Sequence, residues 1–282
     1  MGLSGVYIVV SDGLTLIETG GGLTIPHILE SVQEIGYREK DIRRSIVTHV
    51  HLDHAGGAGS LVQRLPWLRV YVNERGARHL LDPSKLMKSA EMVYGSRKKV
   101  IDLHGEIIPV PEENLSPVSD TDLSIGSDST LRIFSAPGHA PHHLCVFEPR
   151  TKCLFSGEAL GHYYPQSDML TPAVAPPGFN LTASKETIRK IQQFNPKTIC
   201  FSQYGPHGDA TFVISESIRL LELHNELIGD MLKQKLRPEE IIEKMIRNTA
   251  EERWGGKQSA RAMLTSLVLG FARYYQRLQK SG

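Results

Sequence analysis

The sequence has 282 residues, of which 40% are hydrophobic and 22% charged, and its formal net charge is +1. These values are typical of a globular protein with a substantial core, and they argue against a disordered chain. The near-neutral charge and dispersed basic residues argue against nucleic acid as a substrate. No apolar run approaches the ~18 residues that a membrane-spanning helix needs.

The amino-terminal residues and the cysteines bear on the compartment. The sequence MGLSGVYIVVSDG lacks the basic region and long apolar stretch of a secretory signal. Cys145, Cys153 and Cys200 form no CxxC pair, which argues against a disulfide framework or a thiolate zinc site. We therefore expect a cytoplasmic protein with no membrane partner.

The first hundred residues alternate between strand and helix patterns. The β-rich runs GVYIVV (5–10) and LTLIETG (14–20) flank Asp12-Gly13, a strong hairpin signal. The pattern then predicts a helix from Pro26 to Gly36, a buried strand over RSIVTHV (44–50) and a short helix through 61–65. A strand over 68–74 and a helical region over 74–98 follow. This order favours an α/β layered core.

The remainder changes from strands to helices. The stretch from EIIPVPEEN to LFSGEAL (106–160) is β-rich, and residues 163–180 are rich in proline, which predicts an extended loop bordering a site. An amphipathic helix follows over 182–194, with Thr182 or Ser184 as its cap. Beyond Thr211 the pattern is helical. We therefore predict a main domain over residues 1–210 and a helical extension over 211–282, packed on the core or forming a homodimer surface.

Potential metal ligands are most concentrated in the segment IVTHVHLDHAGG (46–57). Residues two apart in a strand point to the same side, so His49 and His51 are expected to face one point. The loop then brings Asp53 and His54 to a second point nearby. Neutral imidazoles and a carboxylate suit zinc, iron or manganese, whereas so many buried polar groups without an ion would be unfavourable. The pattern HxHxDH therefore predicts a metal site rather than a set of surface histidines.

Three later segments offer further metal ligands at the ends of β-like runs. They are SAPGHAPHH (135–143), LFSGEAL (154–160) and YGPHGD (204–209). Open α/β architectures place their sites at such positions. The complete set of candidate metal ligands is His49, His51, Asp53, His54, His139, Glu158 and His207.

In these motifs and their order, the chain from about Gly5 to Asp209 resembles the metallo-β-lactamase superfamily, and in particular its glyoxalase II-like hydrolases. The resemblance implies an α/β (α+β, four-layer) αββα sandwich with a dinuclear metal site at one edge. It implies that His49, His51 and His139 bind one ion, and that Asp53, His54 and His207 bind the other. It also implies a supporting role near the site for His143.

One position departs from the family's pattern. Glu158 stands where the family usually has an aspartate that bridges the two metal ions. Because glutamate is longer by a methylene, Glu158 could bridge both ions, bind one ion, or stay outside the ligand set. Metal ligation is favoured, since a buried carboxylate is attracted to nearby cations.

The resemblance implies hydrolysis of a small-molecule ester, thioester or lactone by a metal-activated water, which Asp53 orients or deprotonates. The expected cofactor is a pair of divalent ions, zinc first, with iron or manganese as alternatives. Two other functions stay open. One is a persulfide dioxygenase-like enzyme with a single iron held by His49, His139 and Glu158. The other is a metal-containing binding or sensing protein without turnover.

Overall fold

The structure is a computed structural model that describes residues 4–247 and 257–281. The chain divides into two compact units. The first unit comprises residues up to 135 together with 142–157, and the second comprises 136–141 and the residues from 158 onward. The mixed α/β class expected from the sequence is confirmed. The domain boundary at 210 stays a prediction.

The first unit contains strands β1 to β9 and helices α1 to α6. The strands are β1 (Tyr7–Val10), β2 (Leu14–Ile17), β3 (Ile42–Ile46), β4 (Arg69–Asn73), β5 (Leu115–Val118), β6 (Thr121–Gly126), β7 (Ser129–Ser135), β8 (Leu144–Glu148) and β9 (Cys153–Gly157). The helices are α1 (Ile25–Glu34), α2 (Leu52–Ala55), α3 (Ala58–Arg64), α4 (Glu74–Leu81), α5 (Ser84–Tyr94) and α6 (Arg97–His104).

Two sheets form the framework of the first unit. In one, the strand order is β1-β2-β3-β4-β5, with an antiparallel β1–β2 hairpin followed by parallel pairings. In the other, β6, β7, β8 and β9 pair in succession, each antiparallel to the next. The hairpin predicted at Asp12-Gly13 is confirmed. Apolar side chains from β2, β3, β4, α1 and α3 share one core cluster, which anchors the end of β3 where the histidine motif begins.

Glycines bring two loops of the first unit into close contact beside that motif. The Gly57 amide donates a hydrogen bond to the Gly20 carbonyl at 2.8 Å. A Cβ atom at Gly57 would lie 2.8 Å from the carbonyl oxygen of Gly21, so a larger residue would push the loops apart. Gly20 itself has a left-handed backbone, with φ 64°, which glycine adopts without strain.

The second unit contains strands β10 to β13 and helices α7 to α10. Its strands are β10 (His162–Tyr164), β11 (Met169–Thr171), β12 (Thr198–Phe201) and β13 (Pro206–His207). Its helices are α7 (Leu181–Gln193), α8 (Ala210–Lys233), α9 (Pro238–Arg247) and α10 (Lys257–Ser281).

Two local predictions for the second unit are wrong. The predicted loop over 163–180 starts with an antiparallel hairpin, β10–β11, whose turn is closed by a 2.9 Å hydrogen bond from the Tyr163 hydroxyl to the Asp168 carboxylate. The cap of α7 is Asn180 rather than Thr182 or Ser184, because the Asn180 side chain accepts the Ala183 amide at 3.1 Å.

The carboxy-terminal helices pack on the proline-rich segment of their own unit. The Phe271 ring contacts that of Phe179, with centroids 5.1 Å apart, and the Ser266 hydroxyl donates to the Val174 carbonyl at 2.8 Å. Phe271 is therefore buried within the unit. Among the described residues, no helix combines the length and the apolar character that crossing a membrane requires.

Candidate metal centre

Backbone hydrogen bonds fix the segment that carries the histidine motif. The predicted strand over 44–50 ends at Ile46, so His49 and His51 lie beyond it. The chain is nevertheless held there, because the Val47 amide donates to the Tyr71 carbonyl at 3.0 Å and the Leu144 amide donates to the Thr48 carbonyl at 2.7 Å. Helix α2 then starts directly after His51 and carries Asp53 and His54.

The motif brings four predicted ligands together within the first unit. His49 Nε2 lies 2.9 Å from His51 Nδ1, and the rings of His49 and His54 have centroids 4.0 Å apart. His54 Nε2 lies 3.2 Å from Asp53 Oδ2. The expected proximity is confirmed, but strand alternation does not produce it. The close approach comes from an extended segment that turns into α2.

Glu18 joins this group, although the sequence motifs did not single it out. Its carboxylate is fully buried, contacts the Thr48 hydroxyl, accepts the Thr48 amide at 3.0 Å and lies 3.1 Å from His54 Nδ1. A ligand atom from each of Glu18, His49 and His54 lies within 4.8 Å of the others. The available signal was a carboxylate placed between an apolar strand and a glycine run. We call Glu18, His49, His51, Asp53 and His54 the amino-terminal ligand group.

The contact with Glu18 determines what His54 can offer to a metal. A carboxylate that accepts Nδ1–H leaves the lone pair of the neutral imidazole on Nε2. Metal-binding histidines are commonly oriented in this way by a carboxylate on the opposite nitrogen. Glu18 is therefore suited to orienting His54, whose Nε2 faces the Asp53 side of the group.

A second cluster, in the other unit, is centred on Glu158. Glu158 Oε2 lies 2.7 Å from His139 Nε2, and Oε1 lies 2.7 Å from His162 Nε2. Gln203 Nε2 donates to the same Oε1 atom at 2.9 Å. His162 and Gln203 were missed at the sequence level, because neither belongs to a recognisable motif. We call His139, Glu158, His162 and Gln203 the carboxy-terminal ligand group.

The carboxy-terminal ligand group keeps Glu158 ionised despite its burial. Burial alone would raise the pKa of this carboxyl group, but the imidazoles of His139 and His162 outweigh that effect and hold the pKa well below its usual range. His139 Nδ1 lies 3.0 Å from the Ala173 carbonyl oxygen, which fixes the ring and directs Nε2 at Glu158.

His207, the remaining predicted ligand, lies in β13. Its Nδ1 accepts the Asp209 amide at 3.0 Å, and its ring packs edge-on against Tyr163, with centroids 4.7 Å apart. The adjacent Tyr164 and Tyr204 rings have centroids 4.7 Å apart, and burial together with Tyr204 raises the pKa of Tyr164. Tyr164 is therefore a neutral side chain at neutral pH.

The rings of His143 and His142 lie beside the amino-terminal ligand group. His143 is buried, and its ring stacks on His49 with centroids 5.0 Å apart. A Cβ atom at Gly157 would lie 2.6 Å from His143 Nε2, so the glycine at the end of β9 makes room for this ring. The half-buried His142 ring lies 6.0 Å from that of His51. Both rings are placed to restrict how the ligand histidines turn.

The chemistry of both groups fits a divalent metal ion. Each one places imidazole nitrogens and a carboxylate within a few ångströms of one another in buried surroundings. Nitrogen and oxygen donors of this kind suit zinc, iron and manganese. Glu18 and the Ala173 carbonyl oxygen contact the far nitrogens of His54 and His139, as supporting residues do in metal sites.

Comparison with known proteins identifies the family. The metallo-β-lactamase superfamily model matches residues 3–203, most of the chain. The chain belongs to the metallo-β-lactamase superfamily. An archaeal metallo-β-lactamase superfamily protein from Sulfolobus tokodaii matches 98% of this chain and 93% of its own, with a TM-score of 0.67 and 20% identity. A metallo-β-lactamase family protein from Thermus thermophilus matches 98% of this chain and 88% of its own, with a TM-score of 0.65 and 17% identity.

Curated relatives of this superfamily member are fungal proteins. The lactamase-like protein ptaB of Pestalotiopsis fici is 25% identical over 87% of this chain and 59% of its own length. An atrochrysone carboxyl ACP thioesterase of Aspergillus chevalieri is 28% identical over 52% of this chain and 37% of its own. The thioesterase pkgB of Emericella nidulans is 22% identical over 72% of this chain and 45% of its own. The chain thus spans about half the length of these relatives.

These matches bear out two sequence predictions for the superfamily member. The superfamily assignment is confirmed, and so is the metallo-β-lactamase fold with a carboxy-terminal helical extension. The glyoxalase II-like branch, the number of ions and their identity stay predictions.

Proposed function

We propose that the protein is a metal-dependent hydrolase that cleaves acyl thioesters. The observation that carries the proposal is the amino-terminal ligand group, in which buried imidazoles and the buried Glu18 carboxylate lie next to the partly exposed Asp53. The family and the two relatives named as thioesterases support thioester cleavage over the ester and lactone alternatives.

The proposed ligands are those expected from the sequence: His49, His51, Asp53, His54, His139, Glu158 and His207. We propose that they hold two divalent ions, with zinc preferred over iron and manganese. A bound divalent ion lowers the pKa of a water molecule to about 7 and polarises a carbonyl oxygen, which is the chemistry that hydrolysis requires. Glu18 and the Ala173 carbonyl oxygen would orient His54 and His139 from behind.

Asp53 is the residue proposed to accept the proton of the attacking water. Its side chain is 25% exposed, whereas that of His54 is fully buried, so a substrate and water can reach the Asp53 carboxylate. We propose that Asp53 orients the attacking water and accepts its proton, as a positioned carboxylate does in general base catalysis. Its Oδ2 atom lies 3.2 Å from His54 Nε2, close enough for both atoms to face the same ion.

A thioester fits this site better than an oxygen ester on chemical grounds. A thiol has a pKa of about 8.5, so a thiolate can leave without receiving a proton in the transition state. An alkoxide is a far stronger base and needs an acid to protonate it. In this proposal Asp53 acts as a base, and no separate acid is needed because the thiolate leaves unprotonated.

The test is a hydrolysis panel with the zinc-reconstituted 282-residue chain. Acyl thioesters of pantetheine, matched oxygen esters and lactones are assayed, and the released thiol is followed with a chromogenic reagent. We expect thioesters to be cleaved fastest and His49→Ala to reduce the rate to background. His27→Ala, which removes an exposed histidine from α1, is the matched control and should keep the full rate. Equal rates for His49→Ala and the unaltered protein would refute the proposal.

A further inference from the structure

Both carboxylate oxygens of Glu158 contact other side chains, two at Oε1 and one at Oε2. Oε1 accepts from two side chains, His162 at 2.7 Å and Gln203 at 2.9 Å. Oε2 faces His139 Nε2 at 2.7 Å. A carboxylate oxygen has about two lone-pair sites, so Oε1 is fully engaged by His162 and Gln203. A metal ion would therefore bind Glu158 through Oε2 rather than through Oε1.

The burial of His162 indicates how it contacts Glu158. Its Nδ1 atom is buried and has no hydrogen-bond partner among the described residues. A buried N–H without an acceptor is unfavourable, so the N–H that makes the hydrogen bond is best placed on Nε2, 2.7 Å from Glu158. That hydrogen points at Oε1 of Glu158. The ring is fixed by the β10–β11 hairpin, in which His162 lies opposite Thr171.

His139 and Glu158 are thus supported in parallel ways. The Ala173 carbonyl oxygen contacts His139 Nδ1 at 3.0 Å and leaves Nε2 for a metal. His162 and Gln203 contact Oε1 of Glu158 and leave Oε2. The Nε2 and Oε2 atoms then lie side by side, as two ligands of one ion do when a metal replaces the proton between them.

We propose that His162 and Gln203 are positioning residues which fix Glu158 as a one-sided metal ligand, so that only Oε2 binds an ion, together with His139 Nε2. This inference rests on the proposed metal-dependent function and specifies one of its ligands. It assigns metal binding to Oε2 alone, and so excludes a bridge that uses one oxygen for each of two ions.

The test measures metal affinity rather than turnover. Purified variants of the 282-residue chain are stripped with a chelator and titrated with zinc against a chromophoric competitor, and cobalt spectra report the ligand environment. We expect His162→Ala and Gln203→Ala each to weaken zinc binding by about 10–100-fold, the usual effect of losing a residue that orients a ligand. His162→Gln, which keeps an N–H donor, should recover part of the loss. His224→Ala, a partly buried histidine of the same unit in α8, is the matched control and should bind zinc normally.

A double-variant comparison separates positioning from direct ligation. If His162 acts through Glu158, then Glu158→Ala/His162→Ala should bind zinc no more weakly than Glu158→Ala alone. A further loss in the double variant would show direct binding by His162 or a general effect on the fold, and would overturn the proposal. Thermal unfolding checks each variant, and if His162→Ala does not fold, Gln203→Ala and His162→Gln decide the question.

The outcomes distinguish this inference from the proposed function. Unchanged zinc affinity in both His162→Ala and Gln203→Ala would overturn the positioning role, even in an active thioesterase. A crystal structure of the zinc-bound protein with an ion on Oε1 would restore the bridging alternative and also overturn it. Conversely, a protein that shows the expected losses of affinity but cleaves no thioester would refute only the proposed reaction.

Discussion

Asp53 differs from its neighbours in the amino-terminal ligand group because solvent reaches its carboxylate while Glu18, His49 and His54 are fully buried. Asp53→Asn keeps the size of the side chain but removes the proton-accepting carboxylate. We expect the rate of thioester hydrolysis to fall by about 10²–10⁴-fold, the usual contribution of a general base. Steady-state kinetics at a fixed zinc load tests this, with the exposed Asp102→Asn as the control. A rate within tenfold of the unaltered protein would contradict the role of Asp53.

His104 gives a prediction about stability and pH. It is buried at the end of α6 with its ring against Tyr94, and burial, only partly opposed by the charge of Asp53, lowers its pKa from the ordinary value of 6.5. Below pH 6.5 the unfolded chain therefore binds a proton that the folded chain resists, so stability falls as the pH decreases. In metal-free protein, His104→Gln should lose less unfolding free energy between pH 7 and pH 5 than the unaltered chain. Parallel losses would refute this.

At the scale of residues, the sequence reveals those candidate ligands that form a motif and hides those that do not. His49, His51, Asp53 and His54 lie within six positions, so their proximity follows from the chain itself. Glu18 precedes His54 by 36 residues and Gln203 follows Glu158 by 45, so both contacts exist only after folding. Glu18 offers only a weak local signal, its place between an apolar strand and a glycine run, and Gln203 offers none.

Among the elements, those with strong local signals were predicted best. The Asp12-Gly13 hairpin and helix α1 follow from turn residues and apolar spacing, and both are confirmed. The end of β3 was predicted too far along, because the extended segment over 47–51 is held by single hydrogen bonds rather than by a strand ladder. The β10–β11 hairpin was missed because each of its strands has only three residues and its turn is closed by a side-chain contact, from Tyr163 to Asp168, that no turn motif encodes.

Helix α3 gives a prediction about packing. A Cβ atom at Gly59 would lie 2.0 Å from the carbonyl oxygen of Ile108, a backbone atom that cannot rotate away. Alanine favours a helix by up to about 1 kcal/mol over glycine, but overpacking typically costs about 1–3 kcal/mol, and this contact is at the severe end. Gly59→Ala should therefore lower the free energy of unfolding by about 1–2 kcal/mol in urea denaturation.

The control for this prediction is Gly208→Ala, because a Cβ atom at Gly208 has no neighbour within 4 Å. A surface change of this kind should alter the free energy of unfolding by no more than about 0.5 kcal/mol. If Gly59→Ala is as stable as Gly208→Ala, the result would contradict the close packing of α3 against the Ile108 backbone.

For the whole molecule, the family and the fold were predictable because the ligand motifs occur in a fixed order along the chain. The carboxy-terminal helices follow from their apolar stripes, and Phe271 and Tyr274 are buried as such a stripe predicts. The boundary at 210, the homodimer and the cytoplasmic location stay predictions. The substrate is not encoded in any motif, since it depends on the shape that several separate segments give to a pocket.

Metal binding should stabilise the whole molecule. An ion that binds only the folded chain adds about 2.7 kcal/mol at a concentration 100 times its dissociation constant. For a protein of this size we expect the unfolding midpoint to rise by roughly 5–10 °C in zinc relative to chelator. Calorimetry tests this, and His49→Ala should show a smaller shift. An unfolding midpoint that is insensitive to both zinc and chelator would contradict the presence of a metal site in the folded chain.

The most direct test of the central claim is thioester hydrolysis measured as zinc is added stepwise to chelator-stripped protein. If the ligand groups hold catalytic metal, stripped protein should be inactive, and the rate should rise with zinc until a fixed number of ions per chain is bound. Manganese and ferrous iron, titrated in parallel, identify the preferred ion. Full hydrolysis by the stripped protein, or none by the zinc-saturated protein, would contradict the claim.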